Sequence, residues 1–364
     1  MKKIRVNLDK KVASSYEICI GYDVLDRIGL LIAKNMPAQR YAIITDANVS
    51  SIYGGPLLDR LRAMGLSADI IEFSGGEEAK NIGTAMDIMD RLLRLGADRR
   101  SALVALGGGV AGDMTGFVAS TFMRSVPYCQ IPTTLLAQVD SSIGGKTAID
   151  LPQGKNLVGT FYQPKGVYID IKFLDTLPGE AMKSGLAEIV KYGAIDSLTF
   201  FNFLEENMNG IRERSREAFE KVIENSCRIK KGIVEIDEKE QGLRRVLNFG
   251  HTIGHAVEAE SGYVISHGAA VSLGMVAAVR ISEKLYDLPR EDSERIERLL
   301  EAAGLTPHIP ETVATDGIMA RLKADKKKEG DVIRFVLLKR IGMPFINGGV
   351  PEAVLHETLE GLKR

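Results

Sequence analysis

Five short apolar runs, Tyr16 to Ile20, Tyr41 to Thr45, Ala68 to Phe73, Ala102 to Leu106 and Tyr128 to Ile131, alternate with stretches of helical periodicity. That alternation limits the first half of the chain to strands joined by crossover helices, the pattern of a layered α/β sheet. Several runs stop at small or polar clusters such as Thr45-Asp46-Ala47-Asn48 and Gly107-Gly108-Gly109. Ligands sit at the carboxyl ends of strands in open parallel sheets, so chemistry is expected to gather at those clusters. Beyond about Leu177 the texture changes to amphipathic stretches of helix length: Glu180 to Ile195, Ser215 to Ile233, His267 to Leu285 and Ser293 to Ala303. One β-like run, Val332 to Leu338, interrupts them. A chain of 364 residues exceeds the usual roughly 100 to 200 residues of one domain. The change of texture therefore predicts an α/β domain over 1–176 and a mainly helical domain over 177–364.

Charge narrows the partners. The 47 Lys and Arg nearly cancel the 48 Asp and Glu, so no global basic field exists to attract nucleic acid, and any anion site must be a local cluster. Small-molecule partners are expected. Three widely spaced cysteines, Cys19, Cys129 and Cys227, argue against a disulfide framework and a thiolate zinc site and fit a reducing compartment. The opening MKKIRVNLDKK has no apolar run behind its basic residues, and no stretch of about 18 apolar residues occurs. A cytoplasmic protein without a membrane span is the expectation.

Gly107, Gly109 and Gly112 satisfy the G-x-G-x-x-G spacing directly after the run Ala102 to Leu106 and before a helical stretch. Glycines there let backbone N–H groups approach a pyrophosphate at a helix N-terminus, although three glycines also suit a plain tight turn. The acid expected about 20 residues further on is absent, since that region reads QIPTTLLAQ. Asp46 closes an earlier strand, and GGEEAKN offers Glu77 and Lys80, so either cluster could hold ribose hydroxyls.

Three of the five histidines fall within LNFGHTIGHAVEAESGYVISHG. His251 and His255 are four apart and share a helix face, as metal-binding pairs do, while Asn248 lies a turn earlier. Thr252 after the first histidine removes the general base of an H-E-x-x-H protease. Upstream, Glu188 and Lys191 stand one turn apart among apolar neighbours in SGLAEIVKYG. One carboxylate with two imidazoles is a common catalytic zinc set, and spacing selects His251 with His255.

The ordered blocks GGGVAGD, QIPTTLLAQVDSSIGGKTAID, GKNLVGTFYQP, SGLAEIVKYG, RRVLNFGHTIGHAVE, SHG and DKK before FVLL closely resemble the dehydroquinate synthase family, from about Asp46 to Gly342. The resemblance implies a Rossmann-like parallel sheet followed by a helical domain, NAD, and a divalent zinc or cobalt ion. It implies metal ligation by Glu188, His251 and His267, with His255 as a polar contact to substrate or its phosphate. It assigns NAD contacts to Asp46, Glu77 and Lys80, to Gly108, Gly109, Val110, Gly112 and Asp113, to Thr133 and Thr134, and to Thr176. Asp140, Lys146 and Lys155 are implied to face both cofactor and substrate. Further substrate contacts are implied at Arg124, Asn156, Lys191, Arg244, Asn248, and Lys326 or Lys327. The lysines and arginines would hold carboxylate and phosphate, and Lys146 and Lys155 sit in glycine-flanked loops that suit anions.

The implied reaction converts 3-deoxy-D-arabino-heptulosonate 7-phosphate to 3-dehydroquinate and phosphate in a homodimer. It proceeds by transient oxidation, phosphate elimination, reduction, ring opening and intramolecular aldol closure. A related sugar-phosphate cyclase and a metal-dependent polyol dehydrogenase are the competing readings. Phe122 and Ser125 stand where the family usually has tyrosine and glycine around the arginine, which concerns local loop shape.

Overall fold

The computed structural model describes residues 15–305, 308–328 and 332–363, with the side chains of 325–328 also outside the described set. The first half runs β1 (Ile18–Gly21), α1 (Leu25–Asn35), β2 (Arg40–Asp46), a short helical turn α2 (Ala47–Val49), α3 (Gly55–Ala63), β3 (Ala68–Phe73), α4 (Ile82–Arg94), β4 (Ser101–Gly107), α5 (Gly109–Thr121), β5 (Tyr128–Pro132), the hairpin β6 (Lys146–Leu151) and β7 (Gly154–Phe161), and β8 (Val167–Asp170). Six strands form one sheet in the order β1-β8-β5-β4-β2-β3 with parallel pairings.

Every residue of β4 is buried, as a strand covered on both faces requires. Alternate side chains feed two cores. Ile43 and Val104 pack with Leu57 and Leu61 of α3, whereas Ile44 and Leu103 pack with Leu92 of α4 and Val118 of α5. All five strand expectations hold. The N-terminal segment joins the sheet through β1, which pairs with β8, and β8 itself escaped the sequence reading.

The second half contains α6 (Gly179–Asp196), α7 (Leu198–Arg212), α8 (Arg216–Ile236), α9 (His251–Glu260), α10 (His267–Tyr286), α11 (Arg290–Ala302), α12 (Thr315–Lys328), β9 (Phe335–Arg340), β10 (Met343–Asn347) and α13 (Glu352–Glu360). The late β-like run becomes β9, which among the described residues pairs with β10 alone and packs on α10. Helix α10 is apolar on nearly every side and buried from Ala270 to Val279, the signature of a central helix.

Two backbone contacts around α10 position the site. A Cβ on Gly274 would lie 1.8 Å from the Gly250 carbonyl oxygen, so α10 touches the start of α9 main chain to main chain. A Cβ on Gly268 would lie 2.5 Å from Ser184 Cα, so the first turn of α10 rests on α6. Among the described residues no helix is long and apolar enough to cross a membrane.

Candidate active site

After β3 the chain crosses to the other side of β2 and lays down β4. The carboxyl ends of β2 and β4 therefore flank the point where strand order reverses, and a crevice opens there. A cleft of about 330 Å³ occupies it, lined by Asp46, Gly75, Glu77, Gly108, Val110 and Thr134, and closed by Ala181 and Ser184 of α6. The turn between β4 and α5 is tight at its glycines. A Cβ would lie 3.0 Å from Thr134 Cγ2 at Gly108, 3.1 Å from Ser141 Oγ at Gly109 and 2.5 Å from Gln130 Oε1 at Gly112. The N-terminus of α5 therefore carries only Val110 and Ala111 between its glycines, and the N–H groups of a first helical turn suit a pyrophosphate.

The acid missing downstream of the glycines lies upstream. Asp46 ends β2, the neighbour of β4, and its Oδ1 accepts from the N–H groups of Asn48 and Val49 at 3.0 and 3.1 Å. Chain order puts β2 before the glycine turn, which is why the usual spacing fails. Lys80 is buried, with Nζ 2.6 Å from Asp113 Oδ2, 2.5 Å from Asn156 Oδ1 and 3.8 Å from Glu77 Oε1. Burial pushes the Asp113 carboxyl up to about 6 although Lys80 pulls it down. Thr133 is buried behind the turn, its N–H donating to the Gly107 carbonyl. Thr176 lies apart from the cleft lining, its hydroxyl 2.7 Å from that of Tyr53.

One helical turn beyond Ser184, α6 presents Glu188, 1% exposed. Nε2 of His251 lies 3.3 Å and Nε2 of His267 3.4 Å from Glu188 Oε1. These residues open α9 and α10 respectively, so the glycine contacts that bring the helix starts together also bring the imidazoles together. Lys191 lies against Glu188 Oε2, yet neither carboxylate oxygen receives a well-formed hydrogen bond. A buried, under-satisfied carboxylate facing two imidazole nitrogens, with all three ligand atoms within 4.8 Å of one another, fits a divalent ion with open positions. The pair selected by spacing is corrected here: the partner of His251 is His267 and not His255, whose ring stands edge-on at 5.3 Å from that of His251. His255, Glu258 and His267 also lie close enough to share an ion, but Glu258 is already engaged by Lys155 at 2.9 Å.

Charged side chains surround the cluster. Asp140 takes Lys230 at 2.8 Å and the Tyr192 hydroxyl. Burial would raise its pKa, but Lys230 and Lys191 overcome this and hold it at about 2. Burial lowers Lys230, and Tyr192 is pushed well above its ordinary value by burial and by Asp140. Lys146 pairs with Glu240, which also accepts from Asn248 Nδ2 at 3.4 Å. Arg244 is 2% exposed, its guanidinium bonded to the carbonyls of Gly144 and Glu238.

Arg124 lies away from the glycine turn. It is exposed beyond the far end of α5, about 20 Å from the glycine turn at 1.5 Å per helical residue. The side chains of Lys326 and Lys327 lie outside the described residues. The sequence reading missed Lys230, Tyr192, Glu240 and Glu258. Lys230 carried a signal, because it interrupts the apolar stripe of α8 that includes Val222, Ile223, Cys227 and Val234.

Residues 70–184 match the family described as 3-dehydroquinate synthase N-terminal, and residues 185–328 the one described as 3-dehydroquinate synthase C-terminal. A 3-dehydroquinate synthase of Desulforamulus reducens is 42% identical over 354 residues, covering 97% of this chain and 98% of that protein. Among solved structures, 2-epi-5-epi-valiolone synthase of Streptomyces hygroscopicus, with NAD+ and Zn2+ bound, is similar at TM-score 0.90 and 26% identity over 99% of both chains. A 2-deoxy-scyllo-inosose synthase complexed with carbaglucose-6-phosphate, NAD+ and Co2+ is similar at TM-score 0.86 and 30% identity, over 94% of this chain and 96% of that one.

Proposed function

The chain belongs to the 3-dehydroquinate synthase family, and from that premise we propose how its own residues share the work. The activity is conversion of 3-deoxy-D-arabino-heptulosonate 7-phosphate to 3-dehydroquinate and phosphate by an NAD- and metal-dependent lyase. The observation that carries the assignment of roles is the convergence of His251 and His267 on the buried carboxylate of Glu188, one turn from the end of the nucleotide cleft.

Residues 1–176 bind the nucleotide and 177–364 supply the metal and most of the substrate site. Asp46, Glu77, Lys80, Asp113, Thr133 and Thr134 and the turn from Gly108 to Gly112 hold NAD, while Thr176, implied by the resemblance, stands outside the cleft lining beside Tyr53. Glu188, His251 and His267 hold zinc or cobalt. When bound, NAD supplies a hydride acceptor whose hydride returns within the turnover, and the ion supplies a Lewis acid for a ring hydroxyl.

The protein's side chains bind and orient. Lys155, Asn156 and His255 face the phosphate, and Lys146, Lys191, Arg244 and Asn248 the carboxylate and ring hydroxyls. Asp140, held ionised by Lys230 and Lys191, accepts from a hydroxyl and fixes the ring. Once the transient ketone acidifies the neighbouring C–H, a phosphate oxygen of the substrate takes that proton and the C–O bond to phosphate breaks as the carbon–carbon double bond forms. Ring opening and the intramolecular aldol closure then need chiefly the right conformer, which this cage of cations and hydroxyl acceptors enforces. A homodimer is part of the proposal, supported by the exposed apolar side chains Leu157 and Phe161 on one face of β7 and Val158 on the other, as is a cytoplasmic location, supported by three free cysteines.

The test is a coupled assay of purified protein with the heptulosonate phosphate, NAD and zinc or cobalt, with a chelated control. Chelator-sensitive release of phosphate together with 3-dehydroquinate, without net NADH, is expected. NADH accumulating from polyols without phosphate release would move the chain to the dehydrogenases, and turnover of sugar phosphates lacking the carboxylate to the other cyclases.

A further inference from the structure

Both imidazoles that turn Nε2 toward Glu188 have an acceptor behind them. Nδ1 of His251 lies 3.2 Å from the Phe249 carbonyl oxygen, and Nδ1 of His267 lies 3.6 Å from Glu258 Oε2. A ring N–H aimed at an acceptor fixes the tautomer and leaves the opposite lone pair for an ion. The two acceptors differ in kind, because a carboxylate adds a negative charge that strengthens its imidazole as a donor and a carbonyl does not.

Glu258 reaches this position from the last turn of α9, seven residues after His251 and three after His255, on the same helix face. Its side chain is 9% exposed, and its other oxygen, Oε1, takes Lys155 Nζ at 2.9 Å. Lys155 comes from the β7 end of the hairpin turn and also lies 4.4 Å over the Tyr263 ring. One carboxylate thus joins a cation on the nucleotide-binding half to an imidazole of the metal cluster.

We propose that Glu258 is a positioning residue, its carboxylate orienting the His267 ring through Nδ1 for the divalent ion while holding Lys155 with its second oxygen. The proposal rests on the assignment of Glu188, His251 and His267 as the ligands. It has a consequence for the substrate. When Lys155 turns to a substrate anion, Glu258 faces His267 alone, so anion binding at the hairpin and ion binding in the cluster are coupled through one side chain.

The test uses the full-length protein with cobalt as probe. Glu258→Gln keeps the size of the side chain and removes its charge. It should weaken cobalt binding, measured by competition with a chelator, by about 10- to 100-fold, shift the visible absorption of the bound cobalt, and leave NAD affinity unchanged. Cobalt affinity and absorption equal to those of the parent would overturn the proposal and leave Glu258 as a counter-ion that seats the hairpin. If the variant does not fold, the parent decides. Its cobalt form in water should show two paramagnetically shifted, exchangeable ring N–H protons, one from each ligating histidine, and a single such proton would overturn the proposal. Failure of the underlying assignment reads differently, as full cobalt affinity retained in His267→Ala.

Discussion

The two halves of the active site are built by opposite means. The nucleotide cleft is lined mostly by backbone and small side chains, and a side chain at Gly108, Gly109 or Gly112 in its central turn would press on Thr134, Ser141 or Gln130. The metal and substrate region is built from ionisable side chains buried between helices: Glu188, Lys191, Lys230 and Glu258 are each under 10% exposed. On the proposed assignment, the first half binds through space and backbone N–H groups at a helix start. The second binds by gathering charges that are costly to bury and that only a complementary ligand fully satisfies. The difference teaches that the halves should fail separately, one losing nucleotide and the other losing metal.

The sharpest challenge to that separation is Glu188→Gln. It should cost about 4 kcal/mol of transition-state stabilisation, roughly 10³-fold in turnover, and strip zinc or cobalt as measured by elemental analysis. NAD affinity should persist; a parallel loss would show that the halves act as one unit. Next comes Gly274→Ala. A methyl group 1.8 Å from the Gly250 carbonyl oxygen forces α9 and α10 apart, costing about 3 kcal/mol in denaturant unfolding. Metal should be lost with it, because the same contact sets the His251 to His267 approach; full metal content in a destabilised variant would break that link.

On the other side, Gly109→Val should weaken NAD binding by roughly 30-fold, about 2 kcal/mol, by filling the turn. Cobalt affinity should be untouched, and titration calorimetry of both ligands checks the pair of expectations. The smallest effect concerns pH. Asp140 has a folded pKa of about 2, below its ordinary value of 3.8, so its stabilising contribution is fully present above about pH 4. It is lost as pH falls toward about 2. The stability gap between the parent and Asp140→Asn should therefore shrink by about 1 to 2 kcal/mol across that interval. A constant gap in urea unfolding would mean that Asp140 does not titrate there.

Legibility also divided between the halves. Each expected strand of the parallel sheet is present, because an apolar run and its bounding turn are local signals. The hairpin β6 and β7 was passed over because β7 is largely exposed and carries little apolar pattern. The unusual Ser125 has a structural explanation. Met123, Arg124 and Ser125 all have positive φ, of 50°, 67° and 99°, and glycine would adopt the last without strain. Family resemblance named Arg124 as a substrate contact, but the single chain leaves it about 20 Å along α5 from the glycine turn.

By itself the sequence determined the α/β-then-helical order, the glycine turn after β4, and the presence of an acid and histidines suited to a metal, since each is written in residues close along the chain. Helix spacing points to His255, the family resemblance to His267, and the fold brings His267, sixteen residues from His251, beside Glu188 together with His251. The fold likewise sets Asp46 beside the glycine turn from upstream, Glu258 against Lys155 and His267, and Lys230 against Asp140. The physical reason is common to these cases. Local periodicity tells which face a residue occupies, but which faces meet is set by strand order and by the close backbone approaches at Gly250, Gly268 and Gly274.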